Sequence, residues 1–241
     1  MNKPVIGIVC PRHSSDDPFD DFTRFTNSFP KRIIEAGGTP IGLIFPFGKF
    51  NYDEASLCDG FLFQGGPLIE SSQLSTVHYA IEREKPILGI CLGAQTMAGY
   101  EWLSHEFDDM LSYEIIESCF KPEYEDYFIE KRSGHNELSP FSLEQIEESK
   151  HAVLLDCNSK VAEAFGDSFV LAPSLHNFVI SDRNFVFNYH FKVSGRSSDG
   201  VIEAIESTND VWQVGVQFHP ELEDHNKTLF KKFVSECRKS R

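Results

Sequence analysis

Ile87-Leu88-Gly89-Ile90-Cys91-Leu92-Gly93-Ala94-Gln95 decides how the rest of the chain is read. An apolar run follows Lys85-Pro86 and gives way to a helix-like segment, Gln95-Thr96-Met97-Ala98. Between them lies Gly-x-Cys-x-Gly, the sulfur counterpart of the Gly-x-Ser-x-Gly turn, in which a strand bends sharply into a helix and exposes the middle residue. Glycine is needed on both sides because a Cβ there would clash in so tight a turn. Cys91 would lie at a helix N-terminus, where the dipole favours the thiolate.

Working outward, the flanking sequence alternates strand and helix patterns. Pro4 to Val9 reads as a buried first strand, and Pro11 to Asp21 as an acidic loop. Phe25 to Ala36 has helical apolar spacing, stopped by Gly37-Gly38, and Thr39 to Ile44 is a second strand. Asp59 to Pro67 is a third strand running into Gly65-Gly66-Pro67, and Ser72 to Glu84 is helical before the strand of the turn. This order predicts an α/β fold with a mainly parallel central sheet flanked by helices. The candidate nucleophile would stand at the carboxyl end of a strand, where open α/β sheets bind ligands.

Further on, Glu101 to Glu130 is rich in acid and aromatic residues and reads as a solvated surface segment, with strands expected at Tyr113–Ile116 and Tyr127–Glu130. Ser139 to Ser149 reads as a polar loop with a short helix. His151 to Asp156 is a strand, and Ser159 to Phe165 a helix capped by Ser159 and ended by Gly166. Phe185 to Val193 alternates as a strand should. Val201–Glu206 and Trp212–Phe218 form an expected hairpin, and Thr228 to Cys237 a terminal helix. No repeat or linker interrupts the chain, so residues 1–241 read as one domain with a smaller β elaboration.

The second decisive stretch is Val214-Gly215-Val216-Gln217-Phe218-His219-Pro220-Glu221, an apolar strand ending in His-Pro-Glu. A catalytic cysteine needs a histidine base and a group to orient it, and these can be remote in sequence. His219 would take the thiol proton and return it to the leaving amine, and Glu221 would hold the imidazole tautomer.

Gly89-Ile90-Cys91-Leu92-Gly93-x-Gln95, together with Gln217-Phe218-His219-Pro220-Glu221, resembles the class I glutamine amidotransferase superfamily. Pro4-x-Ile6-Gly7-Ile8, Glu35-Ala36-Gly37-Gly38-Thr39-Pro40, Asp59-Gly60, Ser174-Leu175-His176 and Asp199 to Glu206 are similar to its peptidase C26 group, which cleaves γ-glutamyl amides such as γ-glutamyl-γ-aminobutyrate. The resemblance implies a flavodoxin-like amidotransferase fold, a Cys91, His219, Glu221 triad and a γ-glutamyl thioester. It implies an oxyanion site at Gly65, Gly66 and the Leu92 N–H, a glutamyl contact at Gln95, and substrate-binding residues at Ser174 and His176. The chain departs from the group at Leu92, where arginine is frequent, and at Ala98-Gly99-Tyr100, where a Gly-Gly-rich segment is usual. Gly65-Gly66-Pro67 is nearer the amidotransferases. These departures bear on the amine side of the substrate.

Two other readings stay open: a glutaminase subunit that delivers ammonia to a separate synthase, and a catalytically silent binding protein. The 241 residues carry a formal net charge of −15, which argues against a phosphate-backbone partner. Apolar runs are short, so no membrane span and no signal peptide are expected. Six scattered cysteines without metal-type spacing suggest free thiols in a reducing, cytoplasmic setting, with no metal and no cofactor. A homodimer is left open.

Overall fold

The computed structural model describes residues 3–17, 19–133, 135, 143–185 and 188–240. Its strands are β1 Val5–Val9, β2 Arg12–His13, β3 Phe22–Thr23, β4 Thr39–Gly42, β5 Gly60–Phe63, β6 Ile87–Ile90, β7 Ile129–Lys131, β8 Lys150–Leu155, β9 Phe169–Pro173, β10 Phe178–Ile180, β11 Phe191–Ser197, β12 Ile202–Ser207 and β13 Gln213–Val216. Its helices are α1 Ser28–Glu35, α2 Tyr52–Ser56, α3 Ser71–Glu82, α4 Leu92–Phe107, α5 Tyr113–Cys119, α6 Leu143–Glu148, α7 Lys160–Phe165 and α8 Lys227–Lys239.

Eleven strands share one sheet, in the order β4-β1-β5-β6-β13-β12-β11-β8-β9, with β10 and β7 attached beside β12. The five strands from β4 to β13 pair in parallel. From β12 onward every pairing is antiparallel. The sheet is therefore mixed, and the β elaboration is joined edge to edge with the parallel half. Strands β5, β6 and β13 are buried along their whole length, as parallel strands covered on both faces must be. One core lies under α3 and α4 and contains Phe61, Phe63, Leu74, Met97 and Leu103; the other lies under α1 and α8 and contains Ile6, Ile33, Leu88, Val214 and Phe233.

Several local expectations hold for the reasons that suggested them. Ser159 Oγ accepts from Ala162 N at 3.0 Å, and Gly166 closes α7 in the left-handed conformation at φ 73°. β12 and β13 form the expected antiparallel pair.

Other stretches fold differently. Tyr113–Ile116 begins helix α5 rather than a strand, because Ser112 caps it and Ile116 has a buried site to fill. The Pro11–Asp21 stretch is not all loop: Arg12–His13 pairs with Phe22–Thr23 as a small ribbon. The expected strand from Phe185 begins only at Phe191; residues 182–185 form a 3₁₀ turn, and 186–187 lie outside the described residues. Of the 139–149 stretch, 139–142 also lie outside them. Most instructive is Glu101, read as solvated but 1% exposed. Its carboxylate accepts from the backbone N–H groups of Tyr189, His190 and Phe191, and so ties α4 to the start of β11. Among the described residues no helix is long and apolar enough to cross a membrane.

Candidate active site

The register of β6 against β13 builds the site. Ile90 pairs with Val216, so the two strands end level with one another. Cys91 N then donates to Val216 O at 2.8 Å, placing the residue after β6 beside the residue after β13. Phe63 of β5 pairs with Gly89, so Gln64-Gly65-Gly66 leaves the sheet at the same end.

Cys91 adopts φ 53° and ψ −106°, a conformation suited to glycine, and α4 begins at the next residue. Both neighbouring glycines are needed by contact. A Cβ on Gly89 would come within 2.7 Å of the Gly93 carbonyl carbon, and one on Gly93 within 2.5 Å of the Phe63 carbonyl oxygen. The turn is thus held between β5 and α4 and pins the sulfur in place.

His219 approaches from β13. Its backbone N donates to Pro173 O at 3.0 Å. Its Nδ1 lies 2.8 Å from Glu221 Oε1, so the ring is oriented by a carboxylate two residues on. Its other nitrogen is left for Cys91, which lies close enough to raise the His219 pKa. Burial disfavours the charged ring, but Glu221 and Cys91 outweigh it and hold the His219 pKa well above the ordinary histidine value. The His-Pro-Glu turn is anchored by buried Arg32 of α1, which donates from Nε to Glu221 O at 3.0 Å and pairs with Asp224 at 2.7 Å.

Gly65 lies against the pair. A Cβ there would stand 3.2 Å from His219 Cε1 and 3.5 Å from Cys91 Cβ; one on Gly66 would meet Pro11 Cγ at 2.7 Å and Leu92 Cδ2 at 3.0 Å. Gly65, Gly66 and Leu92 therefore converge on Cys91. Gln95, one turn into α4, is buried and donates to Phe178 O at 3.0 Å and to Gln217 Oε1 at 3.1 Å. Gln217 Nε2 in turn donates to Cys91 Sγ at 3.6 Å. Gln95 is thus linked to the sulfur through Gln217, a residue to which the sequence pattern assigns no role. Gln217 is quoted in the His-Pro-Glu motif, but its contact with the sulfur emerges only from the pairing of β13 with β6.

The side chains of Ser174 and His176, expected to bind substrate, turn inward. Ser174 Oγ lies 3.1 Å from His176 Nε2 and 3.2 Å from His135 Nδ1, and all three residues are buried.

A cavity of about 620 Å³ is lined by the Gly65-Gly66 loop. Its lining includes Arg12, His13, Phe22, Arg24 and Thr26. Arg12 is paired with Asp21. Arg24 stacks over the Phe22 ring at 5.2 Å and meets no carboxylate among the described residues. The β2–β3 ribbon, invisible to alternation because each arm has two residues, brings Arg12, His13 and Phe22 to the cavity, with Arg24 just after it.

All six cysteines are free. Burial pushes the Cys10 and Cys58 thiols up to about 12 and that of Cys237 well above its ordinary value, which leaves these three poorly nucleophilic at neutral pH.

Comparison with known proteins bears on the family and the fold. The Peptidase C26 family model matches residues 70–221, more than half of the chain. A CTP synthase of Methanosphaera stadtmanae is 30% identical over 77% of this chain, which spans only 35% of that protein. The γ-glutamyl-γ-aminobutyrate hydrolase of Escherichia coli K12 is 26% identical over 98% of this chain and 94% of its own length. A crystal structure from Thermoplasma acidophilum, described as part of a GMP synthase, superposes with a TM-score of 0.64 at 19% identity, covering 99% of this chain and 96% of that one, which bears on the fold alone.

Proposed function

The chain belongs to the Peptidase C26 family, and on that premise we propose that it hydrolyses a γ-glutamyl amide through a γ-glutamyl thioester on Cys91. The observation that carries the reading is the alignment of Cys91, His219 and Glu221 at the end of two adjacent parallel strands. Cys91 Sγ attacks the γ-carbonyl carbon while His219 takes the thiol proton. The oxyanion meets backbone N–H groups of the Gly65-Gly66 loop and of Leu92. Collapse breaks the C–N bond, and His219 passes the proton to the departing amine. Water, deprotonated by His219, then opens the thioester and frees glutamate. Glu221 holds the ring in the required tautomer throughout.

Room for the amine side favours a hydrolase over a glutaminase. Ammonia would fill little of a 620 Å³ cavity, whereas an amine several carbons long would use it. The Arg24 guanidinium suits a carboxylate at the far end of that amine. The near-complete overlap with a γ-glutamyl-γ-aminobutyrate hydrolase supports the same choice. The alternative, a glutaminase subunit serving a synthase, draws on the CTP synthase match, of which this chain spans about a third.

The test is a substrate panel on the isolated protein: glutamine, γ-glutamyl amines with and without a terminal carboxylate, and γ-glutamyl peptides. Carboxylated amines should give the highest kcat/KM, and Arg24→Gln should raise their KM about 10-fold or more while leaving uncharged amines unchanged. Turnover of glutamine alone, and only with a partner chain added, would overturn the hydrolase reading.

A further inference from the structure

Behind His219 lies a second group of histidines around a carboxylate. Glu203 of β12 is 0% exposed, and among the described residues neither of its carboxylate oxygens has a hydrogen-bond donor of good geometry. Its Oε1 is ringed by His151 Nε2 at 3.2 Å, His176 Nε2 at 3.5 Å and His135 Nδ1 at 3.6 Å. An unpartnered buried carboxylate is expensive, so something must balance it.

The far sides of two rings settle where their protons are. His176 Nδ1 lies 3.1 Å from the Phe178 carbonyl oxygen, which can only accept, so Nδ1 carries the hydrogen. His135 Nε2 lies 3.2 Å from Asp199 Oδ2. Asp199 Oδ1 accepts from Ser197 Oγ at 2.6 Å, and its carboxylate too serves as an acceptor. With that single proton on its outer nitrogen, each ring turns a lone pair toward Glu203. Ser174 Oγ stands between the two lone pairs, and its own proton is drawn by His135 O at 3.0 Å. One hydroxyl hydrogen faces two lone pairs and an anion.

We propose that His135, His176 and Glu203 form a binding site for a divalent cation of the zinc class. Their ligand atoms all lie within 4.8 Å of one another. In a tetrahedral site with bonds of about 2.0–2.1 Å the ligand–ligand edge is roughly 3.3–3.4 Å, close to the observed nitrogen-to-Oε1 separations. Asp199 and the Phe178 carbonyl fix the outer nitrogens as orienting partners of metal-bound histidines do. His151, whose Nε2 has no hydrogen-bond partner among the described residues, stands on the more open side of Glu203 and outside the ligand set. The ion fastens the segment after β7 to β12 and to the β9–β10 turn, whose Pro173 carbonyl holds the His219 backbone. It is a structural site and takes no part in the proposed thioester chemistry.

The test is titration of the chelator-treated full-length chain with Co²⁺, followed by zinc competition and metal analysis. The expected result is one equivalent of cobalt bound in the micromolar range or tighter. Its visible bands should be those of a tetrahedral complex, without thiolate-to-cobalt charge transfer, and zinc should displace it. Affinity should fall at least about 100-fold in His176→Ala and in Glu203→Gln, with folding checked by circular dichroism. Asp199→Asn, which removes no ligand, gives a milder version of the same test. Failure of the wild-type chain to bind stoichiometric cobalt or zinc would overturn the proposal, leaving an imidazolium to balance Glu203. A thiolate signature, or full affinity in a folded His176→Ala chain, would overturn it as well.

Discussion

Two pairings of histidine with glutamate stand side by side in this molecule, one on the loop after β13 and one on β12. Both use a buried carboxylate, and they differ in what faces the second ring nitrogen. His219 gives Nδ1 to Glu221 and turns its other nitrogen to Cys91, a group with a proton to lose. His176 and His135 give their outer nitrogens to Phe178 O and Asp199 and turn lone pairs toward Glu203, which has no proton to lose at neutral pH. The first arrangement moves a proton and the second gathers a cation, although the residue types are nearly the same. A motif search that counts histidines and acids would not separate them. Hydrogen-bond direction does.

The largest way to sharpen that contrast is Cys91→Ala. Turnover of every γ-glutamyl substrate should vanish, while cobalt binding at His135, His176 and Glu203 stays as in the wild type; parallel kinetics and titration read both. Next comes Glu221→Gln, which keeps the shape but removes the anion. By analogy with loss of the third member of a serine triad, kcat should fall by roughly 10²–10⁴-fold. The sign for pH follows from the pair itself. His219 titrates above its unfolded value, so the stability it contributes is complete below the unfolded pKa and lost as pH rises through the folded one. Without Glu221 that folded pKa should drop, and an NMR titration of the imidazole should show the downward shift; an unchanged midpoint would mean Glu221 does not govern the ring. The smallest effect belongs to Asp199→Asn, which should weaken cobalt about 10–100-fold by loosening the His135 tautomer.

Much of the active site is legible in the sequence because its parts are local. A Gly-x-Cys-x-Gly turn and a His-Pro-Glu turn each announce themselves within a few residues, and strand–helix alternation places the first at the carboxyl end of a strand; the pairing of β6 with β13 brings the second beside it. What sequence could not supply depends on pairing. Gln217 matters only because Ile90 meets Val216. Arg24 reaches the cavity from just after a ribbon with two residues in each arm, too short for any periodic signal. Glu101 looks like one acid among many until three backbone N–H groups from eighty-eight to ninety residues away are found upon it. His135 lies in a stretch without readable pattern and acquires meaning only beside His176 and Glu203.

Cys91 sits at φ 53° in a turn shaped for glycine. Backbone held this way by a side-chain-bearing residue costs on the order of 1–3 kcal/mol. Glycine at this position would ease the backbone and end the chemistry. A population of variants screened for folding alone would therefore drift away from cysteine here, and one screened for turnover would return to it. Position 91 is where those two pressures on the chain can be told apart.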